Sequence, residues 1–65
     1  MPLIQVTLWQ GRNAATRERL MRSLTQATAD TLDIPTEHVR VVLYEVDRSN
    51  WSVEGVPASK KDWGY

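Results

Sequence analysis

The chain has 65 residues, no cysteine, a single histidine and a formal net charge of zero, with eight Lys+Arg set against eight Asp+Glu. Disulfides and thiolate metal sites are excluded, the lone His38 cannot assemble a zinc site, and no global basic field recruits nucleic acid. No apolar run approaches the roughly 20 residues of a membrane span and no signal-peptide pattern precedes the first strand, so the expectation is a soluble cytoplasmic protein.

One domain, residues 1–65, is all this length allows. A chain of this size buries only about 60% of its unfolded surface. With no disulfide or metal to staple it, oligomerisation is the remaining way to enlarge its core.

Leu3 to Trp9 alternates with period 2. Ile4, Val6 and Leu8 share a face with Pro2, and Leu3, Gln5, Thr7 and Trp9 share the other. Gly11 breaks the pattern, and Asn13 is a suitable N-cap for a stretch rich in helix formers. From Ala14 to about Leu32 the period is helical, with Leu20, Met21, Leu24, Ala27, Thr28 and Leu32 as the apolar stripe. Arg17, Arg19 and Arg22 are expected on a solvated face. Asp33 and Pro35 end the helix, because a residue before proline avoids helical backbone.

Thr36-Glu37-His38 reads as a turn, and Val39 to Val46 as a strand rich in β-branched residues. Val39, Val41 and Leu43 lie on one face of it, Val42, Tyr44 and Val46 on the other. A strand apolar on both faces expects cover on both. One helix covers one face, so a second subunit is expected on the other. Strand, helix and strand within about 45 residues make an α/β (α+β) β-α-β unit with parallel strands and a right-handed crossover. After the polar turn Asp47-Arg48-Ser49-Asn50, Ser52 to Val56 is a short hairpin or edge strand.

Several residues bear chemistry. Small penultimate residues permit removal of Met1, which leaves Pro2 as a free secondary amine. Burial and nearby cations both disfavour the protonated amine, and a shift of ~2 pKa units corresponds to roughly 2.7 kcal/mol toward the neutral form. Such a group is a general base poised near neutral pH. With Met1 retained, the same nitrogen is an amide without a basic lone pair. Arg12 and Arg40 are natural forks for a carboxylate or a developing enolate. Arg12 is otherwise a solvated loop residue. Arg40, read as interrupting an apolar strand, either binds an anion or pairs with Glu37 or Glu45. Trp51 is either a pocket wall or a packing residue, and Glu54 either activates water or lies exposed on an edge strand.

Taken together, Pro2, Gln10-Gly11-Arg12, Leu32-Asp33-Ile34-Pro35, Val39-Arg40-Val41 and Trp51 resemble the 4-oxalocrotonate tautomerase family, from Pro2 through Ala58-Ser59-Lys60 without a gap. The resemblance implies that Pro2 is the catalytic base, that Arg12 and Arg40 bind substrate carboxylates and polarise the 2-oxo oxygen, and that Trp51 replaces an aromatic, usually phenylalanine, that keeps the pocket apolar. Trp9 stands beside Arg12 as a further substrate-binding residue. The implied reaction is a proton shift within a 2-hydroxydienoate such as 2-hydroxymuconate, giving the conjugated 2-oxo acid without cofactor or metal. The implied assembly is a homohexamer, a trimer of dimers, with active sites shared between subunits.

Geometry points the same way. Pro2 and Trp9 lie at opposite ends of a strand, about 23 Å apart at ~3.3 Å per residue, so Arg12 cannot reach its own Pro2. The chain reads Ser52-Val53-Glu54-Gly55 where the family is usually glycine-rich, and Trp51 enlarges the wall. The resemblance extends to relatives that act as hydratases or dehalogenases on 3-haloacrylate-like acids, which carry a water-activating glutamate one position before Glu54 and tend to have an arginine at the position of Trp9. A non-catalytic carboxylate-binding oligomer is the alternative if Met1 is retained. Trp63 and Tyr65 are expected at subunit contacts.

Overall fold

The computed structural model describes residues 1–62, so the contacts expected of Trp63 and Tyr65 lie outside the described residues. Strand β1 spans Leu3–Trp9, helix α1 Ala14–Leu32 and strand β2 Arg40–Val46, followed by the two-residue strands β3, Ser52–Val53, and β4, Val56–Pro57. Three 3-10 turns, Thr36–His38, Arg48–Asn50 and Ala58–Lys60, complete the order. β1 and β2 pair in parallel from Leu3↔Arg40 to Trp9↔Val46, and β3 and β4 form an antiparallel hairpin. The expected β-α-β unit and C-terminal hairpin are both present.

Local chemistry accounts for the boundaries. Gly11, at φ 125°, takes the chain out of β1 through backbone that a side chain rarely allows. Asn13 then caps α1, its Oδ1 accepting from the Thr16 N–H at 2.9 Å. At the other end Asp33 adopts left-handed backbone (φ 55°, ψ 53°), and the N–H groups of Asp33 and Ile34 both return to the Ala29 carbonyl. Aspartate tolerates this conformation better than most residues, so the stop is a left-handed cap before Pro35 takes effect. Val39 closes the following 3-10 turn by donating to the Thr36 carbonyl. β2 therefore starts at Arg40, one residue later than the β-branched run suggests.

α1 covers one face of the ladder. Ile4, Val6, Leu8, Val41 and Leu43 are half-buried, as are Leu20, Met21, Leu24 and Thr28 on the helix. The stripe read from periodicity needs correction at its margins. Ala29 is buried, whereas Ala27 is exposed and Leu32 is 55% exposed. A helix of 19 residues is about 28 Å long at ~1.5 Å per residue, more than the ~23 Å of a seven-residue strand, so its last turn extends past the sheet. Arg17 also departs from the solvated face: it is half-buried, and its Nε lies 3.5 Å from Glu45 Oε1 on β2.

The opposite face of the ladder is uncovered. Leu3, Val42 and Tyr44 are 57%, 37% and 49% exposed, with Gln5 Nε2 donating to Tyr44 Oη at 3.2 Å between them. Among the described residues the buried apolar ones are Ala29, Val39 and Ala58, none of them large. The radius of gyration of 14.7 Å exceeds the ~11 Å of a compact domain of this length. Among the described residues no helix is long and apolar enough to cross a membrane.

Past β2 the chain turns on Asp47, whose carboxylate accepts from the Ser49 N–H at 2.8 Å. That bond favours the ionised form and holds the carboxyl below the usual aspartate range. The hairpin beyond it turns through Glu54 and Gly55, at φ 53° and 80°; positive φ at both central residues suits a two-residue connection.

Two outcomes follow for this scaffold. Asn13→Ala should lower stability by ~1 kcal/mol in urea unfolding at fixed protein concentration, with Asn13→Asp close to the parent. Because the Asp47 pKa is lower folded than unfolded, its contribution is present above the usual aspartate range and disappears as pH falls through the lowered value. Acid titration of tryptophan emission should therefore show the 48–51 turn loosening, a step that Asp47→Asn flattens.

Candidate active site

The two ends of the ladder hold different halves of the predicted machinery. At the start, Pro2 is half-buried and its carbonyl accepts from the Arg40 N–H at 3.1 Å. The parallel register thus sets Arg40 beside Pro2, as the topology demanded. Arg40 is not an interior strand residue, however. It opens β2, is exposed, and points its guanidinium at backbone: Nη1 donates to the Glu37 carbonyl at 2.7 Å and the Val39 carbonyl at 3.3 Å. Neither Glu37 nor Glu45 offers it a carboxylate, and Glu45 is engaged by Arg17. The two carbonyls engage one guanidinium nitrogen, Nη1, and leave the Arg40 charge without a carboxylate partner.

At the far end, Leu8, Trp9, Arg12 and Trp51 line an open pocket of about 310 Å³. Gln10 extends the ladder by donating to the Val46 carbonyl at 3.0 Å, which carries Arg12 just past the strand. Its Nη1 donates to the Trp9 carbonyl at 3.2 Å, and the Arg12 carbonyl accepts from Arg17 Nη1. Arg12 is exposed and lies among apolar walls, an arrangement suited to a carboxylate attached to a flat unsaturated body.

The hairpin returns Trp51 to this end of the molecule. The Trp51 N–H donates to the Arg48 carbonyl and its own carbonyl accepts from Ala58 at 2.7 Å. Its ring meets Trp9 edge-to-face, with centroids 5.9 Å apart and planes at 84°. The Arg48 guanidinium carbon sits 4.5 Å from the Trp9 ring centroid. Trp51 is thus a wall of the pocket that contains its own chain's Arg12.

Within one chain, then, Pro2 and Arg40 share one end of the ladder and Trp9, Arg12 and Trp51 share the other. Glu54 occupies the exposed tip of the hairpin instead of an edge strand. The sequence marks Arg48 only as part of a polar turn and Leu8 only as sharing a strand face with Ile4, Val6 and Pro2. Arg48 had a signal: it precedes Trp51 by three residues across a capped turn.

Comparison with known proteins identifies the family. Residues 1–54 match the family profile described as tautomerase enzyme. A probable tautomerase of Ralstonia nicotianae is 52% identical over 59 residues, covering 91% of this chain and 84% of that protein. The 2-hydroxymuconate tautomerase of Pseudomonas sp. strain CF600 is 38% identical over 60 residues, covering 92% and 95%. Among solved structures, a 4-oxalocrotonate tautomerase homologue superposes with a TM-score of 0.86 at 42% identity, covering 95% of this chain and 98% of that one. A heterohexameric 4-oxalocrotonate tautomerase from Chloroflexus aurantiacus J-10-fl superposes with a TM-score of 0.88 at 32% identity, covering 92% and 97%. With the β-α-β fold, the family profile and these relatives in agreement, the chain belongs to the tautomerase family and is a 4-oxalocrotonate tautomerase-like isomerase.

Proposed function

We propose that this isomerase acts on a small unsaturated 2-hydroxy acid of the 2-hydroxymuconate type, with Pro2 as general base after Met1 is removed. Met1 is 82% exposed, so its peptide bond to Pro2 is open to processing. The freed secondary amine, neutral at working pH, takes the C2 hydroxyl proton. The electron pair becomes the C2 carbonyl, the double bonds shift along the chain, and the distal carbon takes the proton back from the prolinium. Every atom is conserved and the base is regenerated, so the step itself consumes no co-reactant.

Arg12 and Arg40 hold the carboxylates and stabilise charge developing on the 2-oxo oxygen, while Trp9 and Trp51 keep the site dry. The observation that carries this reading is the pocket of Leu8, Trp9, Arg12 and Trp51, which joins one anion-binding fork to apolar walls. Arg40 supports it by presenting a charge with no carboxylate partner beside Pro2.

Because the ladder sets Pro2 about 23 Å from Trp9, at the end that holds Arg12, the reading requires a second copy to complete each site. We infer a homohexamer, a trimer of dimers, with the uncovered face of Leu3, Val42 and Tyr44 among its contacts. An oligomeric relative is the heterohexamer already described.

Pro2→Ala should lower kcat/KM on 2-hydroxymuconate by about 10²-fold or more, and intact mass of active protein should show Met1 absent. Undiminished turnover in Pro2→Ala, or full activity with Met1 in place, removes Pro2 from the chemistry. Halide release from 3-haloacrylate that disappears in Glu54→Gln would favour the hydratase or dehalogenase reading instead. Val42→Asp places a charge on the open face, where a monomer would tolerate it. Light scattering should show a smaller particle, with activity lost in parallel; an unchanged hexamer would mean that this face is not a contact.

A further inference from the structure

The 3-10 turn that follows β2 carries a device beyond the residues of the proposed chemistry. In a 3-10 helix, side chains at i and i+3 lie one above the other. Arg48 opens the turn and Trp51 closes it, with the Asp47 carboxylate capping the Ser49 N–H and the Trp51 N–H bonded to the Arg48 carbonyl. Both side chains consequently project to the same neighbour, Trp9. Arg48 lies over its ring at 4.5 Å, and Trp51 meets it at 84° with centroids 5.9 Å apart. Trp9 and Trp51 line the pocket with Arg12, whereas Arg48 does not, so the guanidinium supports Trp9 from outside the cavity.

We propose that Arg48 is a positioning residue that clamps Trp9 against Trp51, fixing the pocket as a right-angled aromatic corner selective for a flat carboxylate. The physical basis is geometric. Two perpendicular indoles offer one face and one edge, so a planar conjugated acid lies on the first with its rim against the second. Its carboxylate then reaches Arg12. A bulky saturated substituent lifts the ligand off the ring and away from that fork. Without the cation over it, the Trp9 ring loses one of the contacts that hold it and the corner loosens. The proposal rests on the assignment of this pocket to the substrate.

Two readouts separate the clamp from that assignment. The first is the near-UV circular dichroism of the ligand-free protein, which reports the packing of the tryptophan pair. The second is the affinity for cis,cis-muconate and for its 3-tert-butyl derivative, read by tryptophan quenching. Arg48→Ala should reduce the near-UV signal, weaken muconate by about two- to fivefold, and diminish the preference for muconate over the derivative. Arg48→Lys, whose ammonium also stacks on indole, should restore most of both readouts. Arg48→Gln, which retains length but not charge, should restore neither. With 2-hydroxymuconate as substrate, the loss in Arg48→Ala should fall mainly on KM.

An unchanged spectrum and preference in Arg48→Ala overturns the proposal, and full rescue by Arg48→Gln overturns the role of the cation. If the parent protein binds neither muconate nor 2-hydroxymuconate, the substrate assignment and the selectivity claim fail together. The near-UV spectra of the same variants would still decide the clamp.

Discussion

The length of one parallel ladder governs everything proposed for this protein. Seven paired residues set Trp9, at the Arg12 end, about 23 Å from Pro2, and no side chain spans that distance. The same ladder, with a helix on one side only, leaves Leu3, Val42 and Tyr44 facing outward. Separation of the chemical groups and incompleteness of the core are therefore two consequences of one geometry. On the proposed reading, a second copy on the open face would answer both, burying the apolar residues and bringing a foreign Arg12 toward Pro2. In so short a chain, association would be part of how the fold is stabilised as well as how the site is built.

Much of this was legible in the residues because the strongest local signals agree with the fold. The period-2 run from Leu3, the Asn13 cap and the β-branched second strand each report on their immediate neighbours, and each appears where expected. The parallel register followed from topology, which is why Arg40 was expected beside the start of β1. Errors arose where a residue's environment depends on something distant. Arg40 read as interior because Val39 has strong β preference, but the 3-10 turn after Pro35 uses Val39 as its closing donor. Ala27 and Leu32 fit a helical stripe, yet the narrow sheet covers Ala29 in their place. Arg17 seemed a solvated residue until β2 brought Glu45 to it.

The site shows the same division. Pro2, Arg12, Arg40, Trp9 and Trp51 were each legible as chemical types, and the register and the turns determine which of them meet. That Trp51 joins Trp9 depends on the direction of the 48–50 turn, which Asp47 sets by capping Ser49. Hydrophilic composition announced a turn there without its direction. Arg48 was missed for that reason, since its contact with Trp9 exists only once the hairpin has folded back. A wall made of two indoles gives this chain a broad and polarisable pocket surface.

The sharing of each site between subunits is tested most directly by mixing two inactive variants. Pro2→Ala and Arg12→Ala, unfolded together in equal amounts and reassembled, give sites that draw Pro2 from one subunit and Arg12 from another. Random mixing should then return about one quarter of the parent activity, because each group is intact at half of its positions independently. If both groups come from the same chain, every site carries one lesion and the mixture stays as inactive as its components, which would contradict the account.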